Sequence, residues 1–136
     1  MRIERELMRG AGPVAILKLL DAKERYGYEL VSSLEKIGDG ALAMGQSTLY
    51  PMIYNLEAKG LVKSTWKEGD SGKQRKYYTL TNDGHKKLAT DTKQWAALTT
   101  AMREIGVIAR AYKLEVSCCQ LKKNYFQVSC QLKYKN

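Results

Sequence analysis

With 136 residues, 44% of them hydrophobic, the chain is long enough for one domain with a single elaboration and apolar enough to fill its core. No run approaches the roughly 18 apolar residues of a membrane span. The charged start MRIERELMRGAG lacks the apolar centre of a signal peptide, so no membrane partner is expected and the expected location is cytoplasmic. A net charge of +9 favours polyanionic partners, nucleic acid ahead of an anionic membrane surface.

The charge is uneven: from Arg110 onward the chain carries +5, and the remainder carries +4. Residues 1–9 read as a short charged helix with Ile3 and Leu7 on one side. Gly10, Gly12 and Pro13 predict a break, with Pro13 in the first turn of a new helix that runs to about Arg25. Val14, Leu17 and Leu20 form its apolar stripe, widened by Ile16 and Leu19. Tyr26-Gly27-Tyr28 marks a turn. A second helix then places Leu30, Val31, Leu34 and Ile37 on one face. Gly38-Asp39-Gly40 ends it by tolerating a left-handed backbone.

A third helix opens near Gln46 or Ser47, where the serine hydroxyl is expected to cap free amides. Pro51 is expected near its first turn, where a missing amide costs least. Leu49, Ile53 and Leu56 follow i, i+4, i+7 and face inward. Lys59-Gly60 closes the helix. A strand over Leu61–Lys67, a loop from Glu68 to Lys73 and a strand over Arg75–Leu80 make a hairpin. Thr81-Asn82-Asp83-Gly84 then starts a long fourth helix.

The fourth helix follows a near-heptad pattern. One position takes Leu88, Trp95, Met102 and Ala109; the position three further on takes Asp91, Leu98, Ile105 and Tyr112. All but Asp91 are apolar, as a helix-on-helix seam requires. At about 40 Å the helix is longer than so small a domain covers, which favours pairing with a second chain. Gly106 weakens such a seam, since mid-helix glycine costs about 1 kcal/mol relative to alanine. The fold class is therefore mainly α with a small β-hairpin: a winged helix-turn-helix plus a long C-terminal dimerisation helix. The expected divisions are a winged-helix domain over 1–84, a dimerisation helix over 85–113 and a basic, cysteine-containing tail over 114–136.

The tail holds a near-repeat, VSCCQLKKN at 116–124 and VSCQLKYKN at 128–136, too short for a solenoid. Its bland reading is a mobile basic segment, its sharper one an arm on DNA backbone or a partner. Cys118, Cys119 and Cys130 lack the further ligands of a zinc site, so plain thiols and no metal or cofactor are expected.

For catalysis the inventory is poor. There is no Walker-type loop, no G-x-G-x-x-G after a strand and no HExxH, and the single histidine, His85, sits among Asp83, Lys86 and Lys87 at a helix start. For DNA binding it is rich. Gln46, Ser47, Thr48, Tyr50, Tyr54 and Asn55 lie at or near the outward side of the third helix. Gln and Asn suit bidentate contacts to adenine edges; Ser and Thr suit base or phosphate. By pattern alone Tyr50 fits a phosphate contact or the core equally well. Lys73, Gln74, Arg75 and Lys76, on the loop and returning strand, suit phosphates; in isolation they also read as an ordinary solvated charge run.

Taken in order, Tyr26-Gly27-Tyr28-Glu29-Leu30, Ser47-Thr48-Leu49-Tyr50-Pro51, Leu56-Glu57, Lys59-Gly60-Leu61-Val62, Arg75-Lys76-Tyr77-Tyr78-Thr79-Leu80-Thr81 and Gly84 give a combination that resembles the PadR family of bacterial transcriptional regulators, over about residues 5–113. The resemblance implies a winged-helix dimer that binds operator DNA, usually as a repressor, with the helix after the wing packed on its mate. More narrowly, the chain is similar to short-form members that sense drugs or other planar aromatic compounds. In those a tryptophan on the last helix lines a pore at the dimer interface, and Trp95 matches that position.

The resulting expectation is a homodimeric DNA-binding repressor; for Trp95 two roles stay open, a plain residue of the dimer seam and a stacking surface through which a small planar aromatic effector modulates operator binding. The expected interface comprises Leu88, Trp95, Leu98, Met102, Ile105, Ala109 and Tyr112. The competing readings are a small-molecule binder with a vestigial DNA site and a winged helix used for protein interaction; an enzyme is more distant. A protein-interaction wing predicts an apolar exposed third helix, whereas this one is polar outside.

Overall fold

The structure, a computed structural model, describes residues 1–109. It divides into a unit over Met1–Thr92 and a second beginning at Lys93. The tail repeat and its cysteines lie outside the described residues.

In the first unit α1 runs unbroken over Arg5–Ala22, so the expected break at Gly10–Pro13 does not occur. Pro13 cannot donate to the carbonyl of Arg9, but Arg9 is exposed, where water satisfies the oxygen. Gly12 serves packing, since a Cβ there would meet the Met52 sulfur at 2.8 Å. The helix stops at Ala22, earlier than expected, because Arg25–Tyr26 form a two-residue strand, β1, in place of the expected turn.

Helix α2, Gly27–Lys36, buries Leu30, Val31 and Leu34. Ile37, expected on that face, is exposed and begins the 3-10 turn Ile37–Gly40. Gly38, Asp39 and Gly40 all take positive φ, of 57°, 53° and 81°, as the expected left-handed stop requires.

Helix α3 spans Gln46–Ala58 and buries Leu49, Ile53 and Leu56. Its N-cap is Gly45, with no side-chain cap, so the Ser47 hydroxyl does not close the helix. Pro51 is the sixth helical residue, one turn later than expected. The carbonyl it leaves unpaired, that of Ser47, is again on an exposed residue. At the other end Gly60 (φ 74°) donates its amide to Glu57 O and Leu61 donates to Leu56 O, both at 3.0 Å, the Schellman closure.

Strands β2 (Val62–Glu68) and β3 (Gln74–Leu80) form the antiparallel hairpin, and β1 pairs the other edge of β3, giving the order β1-β3-β2. Opposed residues share a face. Val62, Ser64 and Trp66 therefore lie with Leu80, Tyr78 and Lys76, while Thr65 and Lys67 lie with Tyr77 and Arg75.

Helix α4, Asn82–Glu104, begins where the hairpin returns. Thr81 caps it: the hydroxyl accepts from the Gly84 amide at 3.0 Å and donates to the Gly60 carbonyl at 2.6 Å. The Thr81 amide in turn donates to Leu61 O at 3.1 Å. Nearly two turns into the helix, Leu88 belongs to the core of this first unit, 7% exposed, with Ile16, Leu17, Leu30, Leu49, Ile53 and Tyr78. That burial leaves Leu88 little surface for a second chain, contrary to the interface expected of it.

In the second unit α4 ends nine residues before the expected 113. Gly106, read from sequence as a weak point inside the seam, is instead the stop. It has φ 85°, its amide donates to Arg103 O, and Val107 donates to Met102 O. Ile105 thus lies in the closing turn, Ala109 lies past the helix, and Tyr112 lies outside the described residues.

Gly84 is the tightest point of the first unit: a Cβ on it would collide with the Leu61 carbonyl oxygen and lie 3.1 Å from its carbon. Gly84→Ala gains helix propensity but overpacks rigid backbone, and a destabilisation of about 1–3 kcal/mol is expected. A fall in the urea midpoint at unchanged slope checks it; an unchanged midpoint contradicts it.

Candidate nucleic-acid interface

Burying Leu49, Ile53 and Leu56 fixes what the rest of α3 can present. At 3.6 residues per turn, Ser47 and Pro51 point directly away from the core, with Tyr54 and Asn55 to either side of them. Tyr50 and Tyr54 fall on one flank, Thr48 and Met52 on the other. Gln46, Ser47, Thr48, Tyr54 and Asn55 are exposed, and Tyr50 is half-buried. Tyr50 lies against Gly27, where a Cβ would collide with its hydroxyl and ring, so the small residue at the start of α2 is what seats it.

On the flank of Tyr50 and Tyr54, α3 and the hairpin enclose a groove of about 630 Å³. Its walls are aromatic: Tyr26, Tyr28, Tyr50, Tyr54, Trp66 and Tyr78, with Gln74, Arg75 and Lys76 among them. The cations rest on rings. The Arg75 guanidinium sits 4.4 Å from the Tyr26 centroid, and Lys76 Nζ lies 5.7 Å from Tyr78 and 5.9 Å from Tyr54. Such contacts hold a charge without neutralising it. Tyr26 also meets Tyr77 edge to face at 5.5 Å, and Lys67 pairs with Glu24 at 2.6 Å. At the wing tip Lys73 is exposed, in a turn closed by its carbonyl accepting the Gly69 amide at 2.8 Å.

The structure therefore brings Tyr50, Tyr54, Gln74, Arg75 and Lys76 together and sets Gln46, Ser47 and Asn55 on the adjoining open face. Thr48, also exposed, lies on the flank away from the hairpin. It lines a second groove, of about 330 Å³, with Arg2, Arg5, Arg9, Met8, Met44, Gly45 and Met52. The three arginines were not among the sequence candidates. Arg5 and Arg9, four residues apart, share a face of α1, and Arg2 precedes the helix. Trp66, 65% exposed on the wing, was also passed over as an ordinary strand residue.

Other polar side chains tie elements of the first unit together. His85 Nδ1 lies 3.2 Å from the Asp21 carboxylate on an exposed surface, joining α4 to α1. Arg25 donates to Leu19 O and Ser33 Oγ. Among the described residues no group of three or more His, Cys, Asp or Glu could hold a metal, and no helix is long and apolar enough to cross a membrane.

Three helices followed by a hairpin, with an exposed polar third helix and cations beside it, define a winged helix-turn-helix of the kind that reads DNA. Residues 16–90, more than half of the chain, match the model of the transcriptional regulator PadR-like family. The chain is 30% identical over 94 residues to an uncharacterised protein of Lysinibacillus sphaericus, covering 69% of this chain and 86% of that one. A PadR-like transcriptional regulator from Bacillus cereus superposes with TM-score 0.67 at 27% identity, covering 74% of this chain and 95% of the other. A PadR family regulator from Eggerthella lenta gives 0.62 at 37% identity, covering 74% and 85%. The chain belongs to the PadR-like family of transcriptional regulators, a family of DNA-binding regulators and not of enzymes.

Tyr78 reports on the floor of the aromatic groove. Burial, then the neighbouring Tyr54, Glu57 and Tyr50, push its phenol up to about 12 from an ordinary 10.0. A folded-state pKa raised in this way stabilises the fold below pH 10 and loses that contribution as pH rises towards 12. In an absorbance titration, Tyr78→Phe should remove a phase of tyrosine ionisation near pH 12; a titration unchanged by the substitution contradicts the assignment.

Proposed function

We propose that this regulator is a homodimeric repressor that recognises a specific operator. In this reading Gln46, Ser47, Thr48, Tyr54 and Asn55 of α3 meet the major groove, and Tyr50 supports them from its seat on Gly27. Lys73, Gln74, Arg75 and Lys76 hold phosphates. The observation that carries it is the pairing of an open polar α3 face with a flank of ring-supported cations that make no ion pair among the described residues. An uncapped α3 start adds free amides suited to a phosphate.

Two cations lost from the wing should remove about two phosphate contacts. The variant Arg75→Ala/Lys76→Ala is expected to lower the slope of log K against log salt by about 1.8, and to weaken binding across sequences alike. In cells, a reporter placed behind a site selected by the chain should be silenced by the parent and released by the variant. An unchanged slope, or a reporter raised by the parent, would overturn the wing role or the repressor role respectively.

The homodimer reading rests on the second unit. Trp95 and Leu98 are 38% and 46% exposed, and Met102 continues their stripe by one turn. Ile105, in the closing turn, is 73% exposed. So many large apolar groups in one short stretch suit a partner surface. A second copy is the occupant proposed, with Trp95 as the stacking surface for a planar aromatic effector. Leu98→Glu would enter a symmetric seam twice. At about 1.4 kcal/mol each, it should raise the dimer dissociation constant roughly a hundredfold in sedimentation equilibrium. On a Trp66→Phe background, quenching of Trp95 emission by acridine should vanish with the dimer. Unchanged association sinks the seam, and quenching that survives dissociation sinks the interfacial effector site.

A further inference from the structure

We propose that the N-terminal arginines Arg2, Arg5 and Arg9, which line one groove, form a second phosphate-binding surface, which grips the DNA strand opposite the one held by the wing. This rests on the reading of α3 as the groove-entering helix. An α-helix with its side chains is about 10–12 Å across, and the major groove is about 12 Å wide. A helix seated there fills the groove, so its two flanks face the two sugar–phosphate backbones. The flank of Tyr50 and Tyr54 is continuous with the wing. The flank of Thr48 and Met52 is continuous with the groove of about 330 Å³ that the three arginines line. Thr48 belongs both to the reading helix and to this groove, which places the arginines beside whatever backbone α3 lies along.

The charges there are available. Among the described residues Arg2 and Arg5 make no ion pair within 4.0 Å; Arg9 has one, a 3.6 Å contact to Glu6 between exposed groups, which is worth little. Glu35 and Asp39 border the same region beside Arg2 and Gly45. They repel a phosphate on that side, so the strand is expected to pass nearer Arg5 and Arg9. Arginine's planar fork suits a phosphate oxygen pair better than an ammonium does.

The test uses the full 136-residue chain and a duplex it enriches from a random-sequence pool. Salt dependence of binding is measured for the parent, for Arg5→Ala/Arg9→Ala and for Arg75→Ala/Lys76→Ala, with circular dichroism as the folding control. The arginine variant should lower the slope by about 1.8. Scanning the duplex with uncharged methylphosphonates should then show interference lost by the arginine variant on one strand and by the wing variant on the other. An arginine variant with parental slope and parental interference overturns the inference while a wing effect leaves the DNA reading standing. Parental behaviour from both variants removes the reading on which it rests. A loss that both variants share on the same strand overturns the two-flank arrangement.

Discussion

Four chain segments meet at one backbone junction, and the reading head depends on it. The carbonyl of Leu61 accepts the Thr81 amide, and the carbonyl of Gly60 accepts the Thr81 hydroxyl, which also caps α4 through Gly84. The end of α3, the start of β2, the end of β3 and the start of α4 are thereby fixed within a few residues. Gly60 supplies the left-handed turn and Gly84 the absence of a side chain where α4 presses on Leu61. A hairpin held this firmly at its base keeps the wing at one distance from α3. The aromatic groove between them exists because that distance is set.

The core then determines what α3 shows to solvent. Three residues, Leu49, Ile53 and Leu56, lock its rotation, and every other side chain on it follows from helical geometry. The flanks differ in kind. One is built from aromatic rings that support cations, the other from arginines on a helix end and a single threonine. Under the docking proposed above, two unlike flanks would give α3 a defined polarity on DNA, which a symmetric surface would not.

Much of this was legible in the sequence, and the misses share a cause. Helices α2, α3 and α4 were readable from apolar spacing, and the hairpin from its Tyr- and Thr-rich return. Glycine punctuation was readable at Gly60. Strand β1 was not, because two residues have no alternation and Arg25 and Tyr26 become a strand only by pairing with Tyr78 and Tyr77, far along the chain. Pro13 and Pro51 were read as helix-start signals. Each instead lies inside a helix, at a point where the carbonyl it orphans belongs to an exposed residue, a property that depends on the finished fold. Gly106 was read as a defect in a longer seam, although a glycine followed by an apolar residue is also the signature of a Schellman stop. The arginines at 2, 5 and 9 gain significance only from the fold, which gathers them around one groove beside Thr48.

The stacking of Arg75 on Tyr26, and of Lys76 on Tyr54 and Tyr78, bears on the entropy of recognition. A free long cation carries about 2 kcal/mol of rotamer entropy, part of which is lost whenever it is immobilised against an anion. The rings have already confined these two side chains in the unbound protein. Whatever anion they meet, that share of ordering was completed during folding. Arg2 and Arg5, with no ring beneath them among the described residues, would undergo theirs at the moment of contact.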